Sequence, residues 1–225
     1  MSMSYPLEKW VWTENDFEQM SWHDARIYAV QFGKDISFDI DYIFEWIQLD
    51  KDDFFSFVVA PATLVFPEPS FVSMDIDIRL SKEIEIEDIS RRVSATGETK
   101  WHIQTHQGNI VITAPAFRQI VRRAPTQQTG QQVLPEERGL PSFSTVPDPS
   151  SVESAEVREI KAADFALRQK AASLRRLRRQ LEALLEQRNA GVLEVKQYLQ
   201  EKRLLEARIS QLKIELEETG WQGNY

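Results

Sequence analysis

Two different spacings of apolar and polar positions divide this chain. Over roughly residues 5–123 the repeat is two. Between Ser37 and Ile47, the side chains of Phe38, Ile40, Tyr42, Phe44 and Trp46 share one parity. Ser37, Asp39, Asp41 and Glu45 share the other, with Ile43 the exception. Successive strand residues point to opposite faces, so this pattern predicts a half-buried β-strand with one wet side. Met74, Ile76, Ile78 and Leu80 alternate with Ser73, Asp75, Asp77 and Arg79 in the same way. Further strands are predicted over 26–32, 54–60, 63–66, 83–89, 100–105 and 109–114, with a hairpin turn at His106–Gln107–Gly108. The stretches 16–20 and 117–123 read as helical or ambiguous. Short strands separated by turn residues, without strand–helix alternation, imply an antiparallel sheet packed on itself.

Past residue 150 the repeat becomes 3.5. A heptad seam runs through Leu174, Leu177, Leu181, Leu184, Arg188, Gly191, Val195, Tyr198, Lys202, Leu205, Ile209, Leu212 and Leu216, of which ten are apolar. Ten apolar seam positions of thirteen are the signature of a coiled coil. Pro149 followed by Ser150 or Ser151 as N-cap, with Glu153 closing a capping box, predicts where the helix starts. The seam fails twice in succession, at Arg188 and Gly191. An in-register parallel dimer would also oppose Glu201 to Glu206 and Arg208 to Lys213. A helical hairpin turning at Asn189–Gly191 therefore competes with one long helix. In the hairpin, Arg175 and Arg178 approach Glu206 and Glu201, and Leu185, Val192 and Leu199 widen the apolar stripe beyond a two-stranded seam.

Between the two lies a Pro/Gln/Ser-rich stretch holding five of the ten prolines. By composition it cannot offset its ordering entropy through burial, and it reads as a flexible linker. The predicted fold class is α+β. An antiparallel β-rich domain, sandwich-like or a curled sheet, occupies residues 1–124; a linker follows at 125–150, a coiled coil or helical hairpin at 151–219, and an aromatic tail with Trp221 and Tyr225 at 220–225.

Charge adds one feature. The net −8 is carried by the head, with residues 1–124 at −8, residues 125–150 at −2 and residues 151–225 at +2. Asp39, Asp41, Glu45, Asp75 and Asp77 all take the outward parity of their strands, as do Glu83, Glu85 and Glu87. They read as a solvated face or as an electrostatic surface for a basic protein partner. So acidic a head argues against binding phosphate backbones, and the run RRLRR at 175–179 reads as a solvated helix face. No apolar run approaches the length of a membrane span, and the start shows no signal-peptide pattern, so a cytoplasmic protein is expected.

Chemistry is sparse. Cysteine is absent, which removes disulfides and thiol nucleophiles, and no hydrolase, zinc-protease or phosphate-loop motif occurs. His102 and His106 share strand parity, but that spacing arises on any polar strand face. His23–Asp24 reads as a structural strand entry. No catalytic residue, cofactor or metal is expected.

The segments WHDARIYAV (22–30), DIDYIFEW (39–46), VAPATLVF (59–66) and HQGNIVITAPAFRQIVRRAP (106–125) resemble an uncharacterised family of small bacterial proteins. That family carries Trp-His-Asp near its start, an Asp-Tyr-Ile-x-x-Trp strand, an Ala-Pro-Ala-Thr strand and a final Phe-x-Gln. The resemblance covers the head and none of the tail, and implies no activity. More distantly, the His-Asp strand is similar to immunity proteins that neutralise bacterial toxins. The expected function is that of a non-catalytic adaptor or accessory subunit of a bacterial complex. Its head binds a protein and its helices form a homo- or hetero-oligomer through the seam positions Leu174, Leu177, Leu181, Leu184, Val195, Tyr198, Leu205, Ile209, Leu212 and Leu216. The alternative is an immunity-type inhibitor that occludes a basic toxin with its acidic face.

Overall fold

The computed structural model describes residues 5–50, 54–78, 83–95 and 97–220. The predicted aromatic tail, with Trp221 and Tyr225, lies outside the described residues. The chain forms two compact units, Met1–Ile47 with Ser56–Val157, and Gln48–Phe55 with Arg158–Tyr225.

The first unit is a ten-stranded sheet, antiparallel throughout the pairings below. Its strands are β1 (Val11–Thr13), β2 (Arg26–Phe32), β3 (Ile36–Asp50), β4 (Phe54–Phe66), β5 (Phe71–Ile76), β6 (Ile84–Val93), β7 (Thr99–Thr105), β8 (Gly108–Thr113), β9 (Arg118–Val121) and β10 (Thr126–Gln128). They lie side by side in the order β1-β9-β4-β3-β2-β6-β7-β8-β5, and β10 pairs with β4. All but the last residue of the stretch at 16–20 falls in a 3₁₀ helix, Glu14–Gln19, whereas the centre of 117–123 forms β9. The two predicted strands at 54–60 and 63–66 are one, because Pro61 does not interrupt it. The Arg122 N–H donates to the Pro61 carbonyl. Strand N–H and C=O groups of one residue point to the same side, so the missing Pro61 donor falls where β9 gives way to β10 and no ladder bond is required.

The sheet curls. Strands β4 and β7 are four places apart, about 19 Å in a flat sheet, yet Phe66 and Trp101 bring their ring centroids to 5.8 Å. The space so enclosed holds one core, which includes Trp22, Phe38, Ile40, Leu64, Phe66, Ile86, Trp101, Ile103, Ile110, Ile112 and Phe117. The even-numbered residues of β3 and β4 supply it, as the alternation predicts. Turn chemistry closes the sheet's far side. Strands β7 and β8 are joined by the two residues His106 and Gln107, and Gly108 follows at φ +145°. A Cβ there would sit 2.0 Å from the Asp75 carbonyl oxygen of β5, so glycine is needed.

Apart from the ends of β3 and β4 within Gln48–Phe55, the described part of the second unit is built of two helices, α2 (Ala155–Asn189), whose first residues fall in the first unit, and α3 (Val195–Glu217); the short α1 (Pro135–Arg138) belongs to the first unit. Helix α2 begins later than the sequence predicts. Its cap is Ser154, whose Oγ accepts the Val157 N–H at 3.1 Å, rather than Ser150 or Ser151. It ends in a Schellman motif, with the Val192 N–H bonded to Gln187 O, the Gly191 N–H bonded to Arg188 O, and Gly191 at φ +74°. The chain then folds back. Ala171 and Leu174 pack against Ile209, Leu212 and Leu216, and Lys170 Nζ lies 3.0 Å from Glu215 Oε2. The hairpin is thus the arrangement adopted, and its turn falls where the heptad seam fails.

Candidate functional site

The predicted acidic face must be corrected at its two central residues. Asp39 and Asp41 are completely buried, at 0 % exposure. From Ser37 to Ile43 of β3 and from Phe57 to Val65 of β4 the odd-numbered face is buried, because the segment after β10 crosses it. Val133 packs into a small cluster with Ile43, Phe57 and Val59. That segment was expected to be a flexible linker, yet its Gln128, Thr129, Val133 and Arg138 are buried.

The strap is held by charge. Asp39 Oδ1 accepts from Arg122 Nη2 at 2.5 Å and from Arg138 Nη2 at 2.6 Å, and Asp39 Oδ2 accepts the Ser142 N–H at 3.0 Å. Asp41 Oδ1 accepts from Arg138 Nε at 2.9 Å. Its Oδ2 accepts the Val133 N–H and the Tyr28 hydroxyl, each at 2.9 Å. The Arg138 guanidinium also lies 3.5 Å from the centre of the Tyr28 ring. Arg122 reaches Ala62 O, Thr63 Oγ1 and Ser142 O, and the Thr63 hydroxyl donates in turn to Ser144 O at 2.8 Å. Two carboxylates and two guanidiniums therefore neutralise one another between β3 and the strap.

Desolvation shows in the titration of this network. Burial pushes the Asp41 carboxyl above its ordinary range despite Arg138 and three donated hydrogen bonds. Burial likewise lowers the Arg122 pKa, with Asp39 opposing it. Arg138 also loses by burial, but its hydrogen bond to Asp39 and the charges of Asp41 and Asp39 outweigh that, and its pKa is raised. The Tyr28 hydroxyl is raised by burial and then by the Asp41 charge. Such a network contributes position more than net energy, since removing charge from water costs about what pairing returns. Here the position defined is that of residues 133–144 on the sheet.

The remaining predicted acids do reach the surface, for Glu45, Asp75 and Asp77 are exposed. They do not share a neighbourhood in the sheet order, because β3 and β5 are separated by β2, β6, β7 and β8. The histidines are dispersed as well. His102 Nε2 is 2.8 Å from Asn109 Oδ1, and His23 Nδ1 is 3.0 Å from Glu87 O while its ring stacks on Trp46.

In the helical unit, Leu174, Leu184, Ile209, Leu212 and Leu216 of the seam are buried, and Leu177, Leu181, Tyr198 and Leu205 are half-buried. Val195 is exposed. Leu185, Val192, Leu199 and Leu204, on the same two helices and their turn, are exposed as well, from 45 % at Leu199 to 77 % at Val192. Between the helices an open groove of about 400 Å³ is lined by Ala183, Leu184, Gln187, Leu204 and Leu205, among others. Among the described residues, no helix is long and apolar enough to cross a membrane.

No protein-family model matches this chain, nor does any curated protein or solved structure.

Proposed function

We propose that this is a non-catalytic, cytoplasmic interaction protein, an adaptor or accessory subunit of a bacterial complex, that assembles through its helical pair while its β unit presents a protein-binding surface. The observation that carries the proposal is the apolar group at the helical turn. Five large aliphatic side chains stand in water on a unit whose own core gathers farther from the turn, around Leu174 and Leu212. Large apolar side chains left exposed in such number on one small helical unit mark interaction sites in soluble proteins. The groove beside it offers depth for an apolar side chain from another helix.

The test is light scattering on the full chain over a wide concentration range, repeated with Val192→Glu and Leu199→Glu. Self-association that weakens in both variants, with unchanged circular dichroism, is the expected result. A monomer at every concentration, with the variants indistinguishable from it, would remove the helical pair as a self-assembly surface. The inhibitor reading keeps Glu45, Asp75 and Asp77 but loses Asp39 and Asp41 to internal pairing, so it is the weaker of the two.

A further inference from the structure

Apart from the buried network, three chain segments bring two carboxylates and an imidazole together at the surface of the β unit. Asp24 lies two residues before the start of β2, Glu85 lies on β6, and His106 opens the turn between β7 and β8. One ligand atom from each can be chosen so that all three lie within 4.8 Å of one another. His106 Nε2 is 4.0 Å from Glu85 Oε1. We propose that Asp24, Glu85 and His106 form a binding site for a divalent transition-metal ion, with Zn²⁺ the best-suited probe.

The donor set is the first reason. Two carboxylate oxygens and one imidazole nitrogen suit Zn²⁺ or Mn²⁺, while thiolate-demanding ions find no cysteine in this chain. Three protein ligands leave at least one coordination position for water. An ion about 2.1 Å from each ligand in tetrahedral geometry sets ligands about 3.4 Å apart. From the present spacing, small side-chain rotations reach that.

The main chain already fixes all three residues to β6. The Asp24 N–H donates to Ile86 O at 2.9 Å, and the His106 N–H donates to Glu85 O at 3.0 Å. Around them stands an outer layer of amides. Gln131 Nε2 donates to Asp24 Oδ2 at 2.6 Å, and the Glu85 N–H donates to Gln107 Oε1 at 3.0 Å. Outer hydrogen bonds of this type orient metal ligands and are typical of working sites.

Charge supplies the motive. Asp24 and Glu85 bring two carboxylate oxygens within 4.8 Å of one another. The nearby arginine, Arg26, is committed to Glu83 and Gln132. His23 lies 3.5 Å from Asp24 Oδ1 and also meets Glu87 O through its other nitrogen. A cation would relieve the repulsion between the two carboxylates. Access is open on the His106 side, where the side chain is 49 % exposed, against 32 % for Glu85 and 11 % for Asp24.

Titration of the full chain with Zn²⁺ against a chromophoric chelator tests the site. One ion per chain is expected, with affinity falling by more than about tenfold in His106→Ala and in Asp24→Asn. His102→Ala should bind as the parent does. His106 lies in an exposed two-residue turn, so its variant is expected to fold, and circular dichroism checks this. Should Asp24→Asn unfold, Co²⁺ absorption of the parent and of His106→Ala provides a second readout. Loss of the visible bands in the variant supports the site. No binding by the parent, or equal affinity in parent and His106→Ala, would overturn it.

Discussion

The two units handle their awkward groups in opposite ways. The β unit buries four charges and matches each of them internally, with Asp39 and Asp41 facing Arg122 and Arg138. The helical pair buries a short aliphatic core and leaves Leu185, Val192, Val195, Leu199 and Leu204 in solvent. One unit completes itself with its own chain, by laying residues 133–144 over β3 and β4. Among the described residues, the helices carry no such strap. A surface that the chain has not covered for itself is the place to look for a partner, and a surface closed by paired charges is not.

The sharpest way to break the comparison is to open the β unit's closure. Arg138→Met removes the guanidinium that serves both aspartates, leaving Arg122 to face two buried carboxylates. Breaking a buried pair by deleting one partner costs about 3–5 kcal/mol, the largest effect expected in this chain. Urea unfolding followed by tryptophan fluorescence measures it. Limited proteolysis should at the same time cut within 125–148 faster in the variant than in the parent. If the variant is as stable and as resistant as the parent, the strap is held by something other than its charges.

Much of this fold was legible and the strap was not, for a definite reason. Alternation tells which residues share a face but not whether that face is wet. The even parity of β3 enters the core from Ile36 to Phe44 but leaves Trp46 46 % exposed; the odd parity, with Asp39 and Asp41, reads as water-facing and is buried. A contrary signal stood next to it. In β4 the run from Phe57 to Phe66 is apolar or small on both parities, which marks a strand covered on both faces. Its neighbour β3 must then be covered as well. What the sequence could not provide is the pairing, since Arg122 and Arg138 lie 83 to 99 residues from the aspartates they meet. The strap's composition hid it further, because proline- and glutamine-rich chain that docks through a few hydrogen bonds looks like chain that does not dock. The hairpin was more accessible, being encoded locally by Arg188, Asn189 and Gly191. The cluster of Asp24, Glu85 and His106 was invisible for the same reason as the arginines. Its members come from three segments that only the sheet order makes neighbours.

A second test moves to the helical unit. Leu174 is fully buried there between the helices. Leu174→Ala removes its packing and leaves a cavity, at a cost of about 2–4 kcal/mol. A core this small has little stability in reserve, so helical circular dichroism should melt at lower temperature. The near-ultraviolet signal of Trp10, Trp12, Trp22, Trp46 and Trp101, all in the β unit, should persist at that temperature. Coincident loss of both signals would mean that the two units unfold as one and that neither completes itself alone.

The smallest effect probes the polar interior of the β unit on the side away from the strap. Tyr42 is buried on the core face of β3, and its hydroxyl oxygen accepts the Ser21 N–H at 3.2 Å. Burial pushes its pKa from 10.0 up to about 12. The folded value lies above the unfolded one, so the stability linked to this group is fully present below pH 10 and is lost as pH rises from there to about 12. A difference of two units corresponds to roughly 2–3 kcal/mol over that window. Tyr28 titrates in the same direction, through burial and the Asp41 charge, and adds to the slope. Unfolding free energies of the parent should therefore fall over this range, and those of Tyr42→Phe should fall less steeply. The variant is also expected to be somewhat less stable at neutral pH, because the Ser21 N–H loses its acceptor. Equal slopes in parent and variant would show that the Tyr42 hydroxyl ionises in the folded chain as freely as in water. The enclosed core of the curled sheet would then be wetter than its packing implies, and the contrast between a closed β unit and an open helical pair would lose its sharper half.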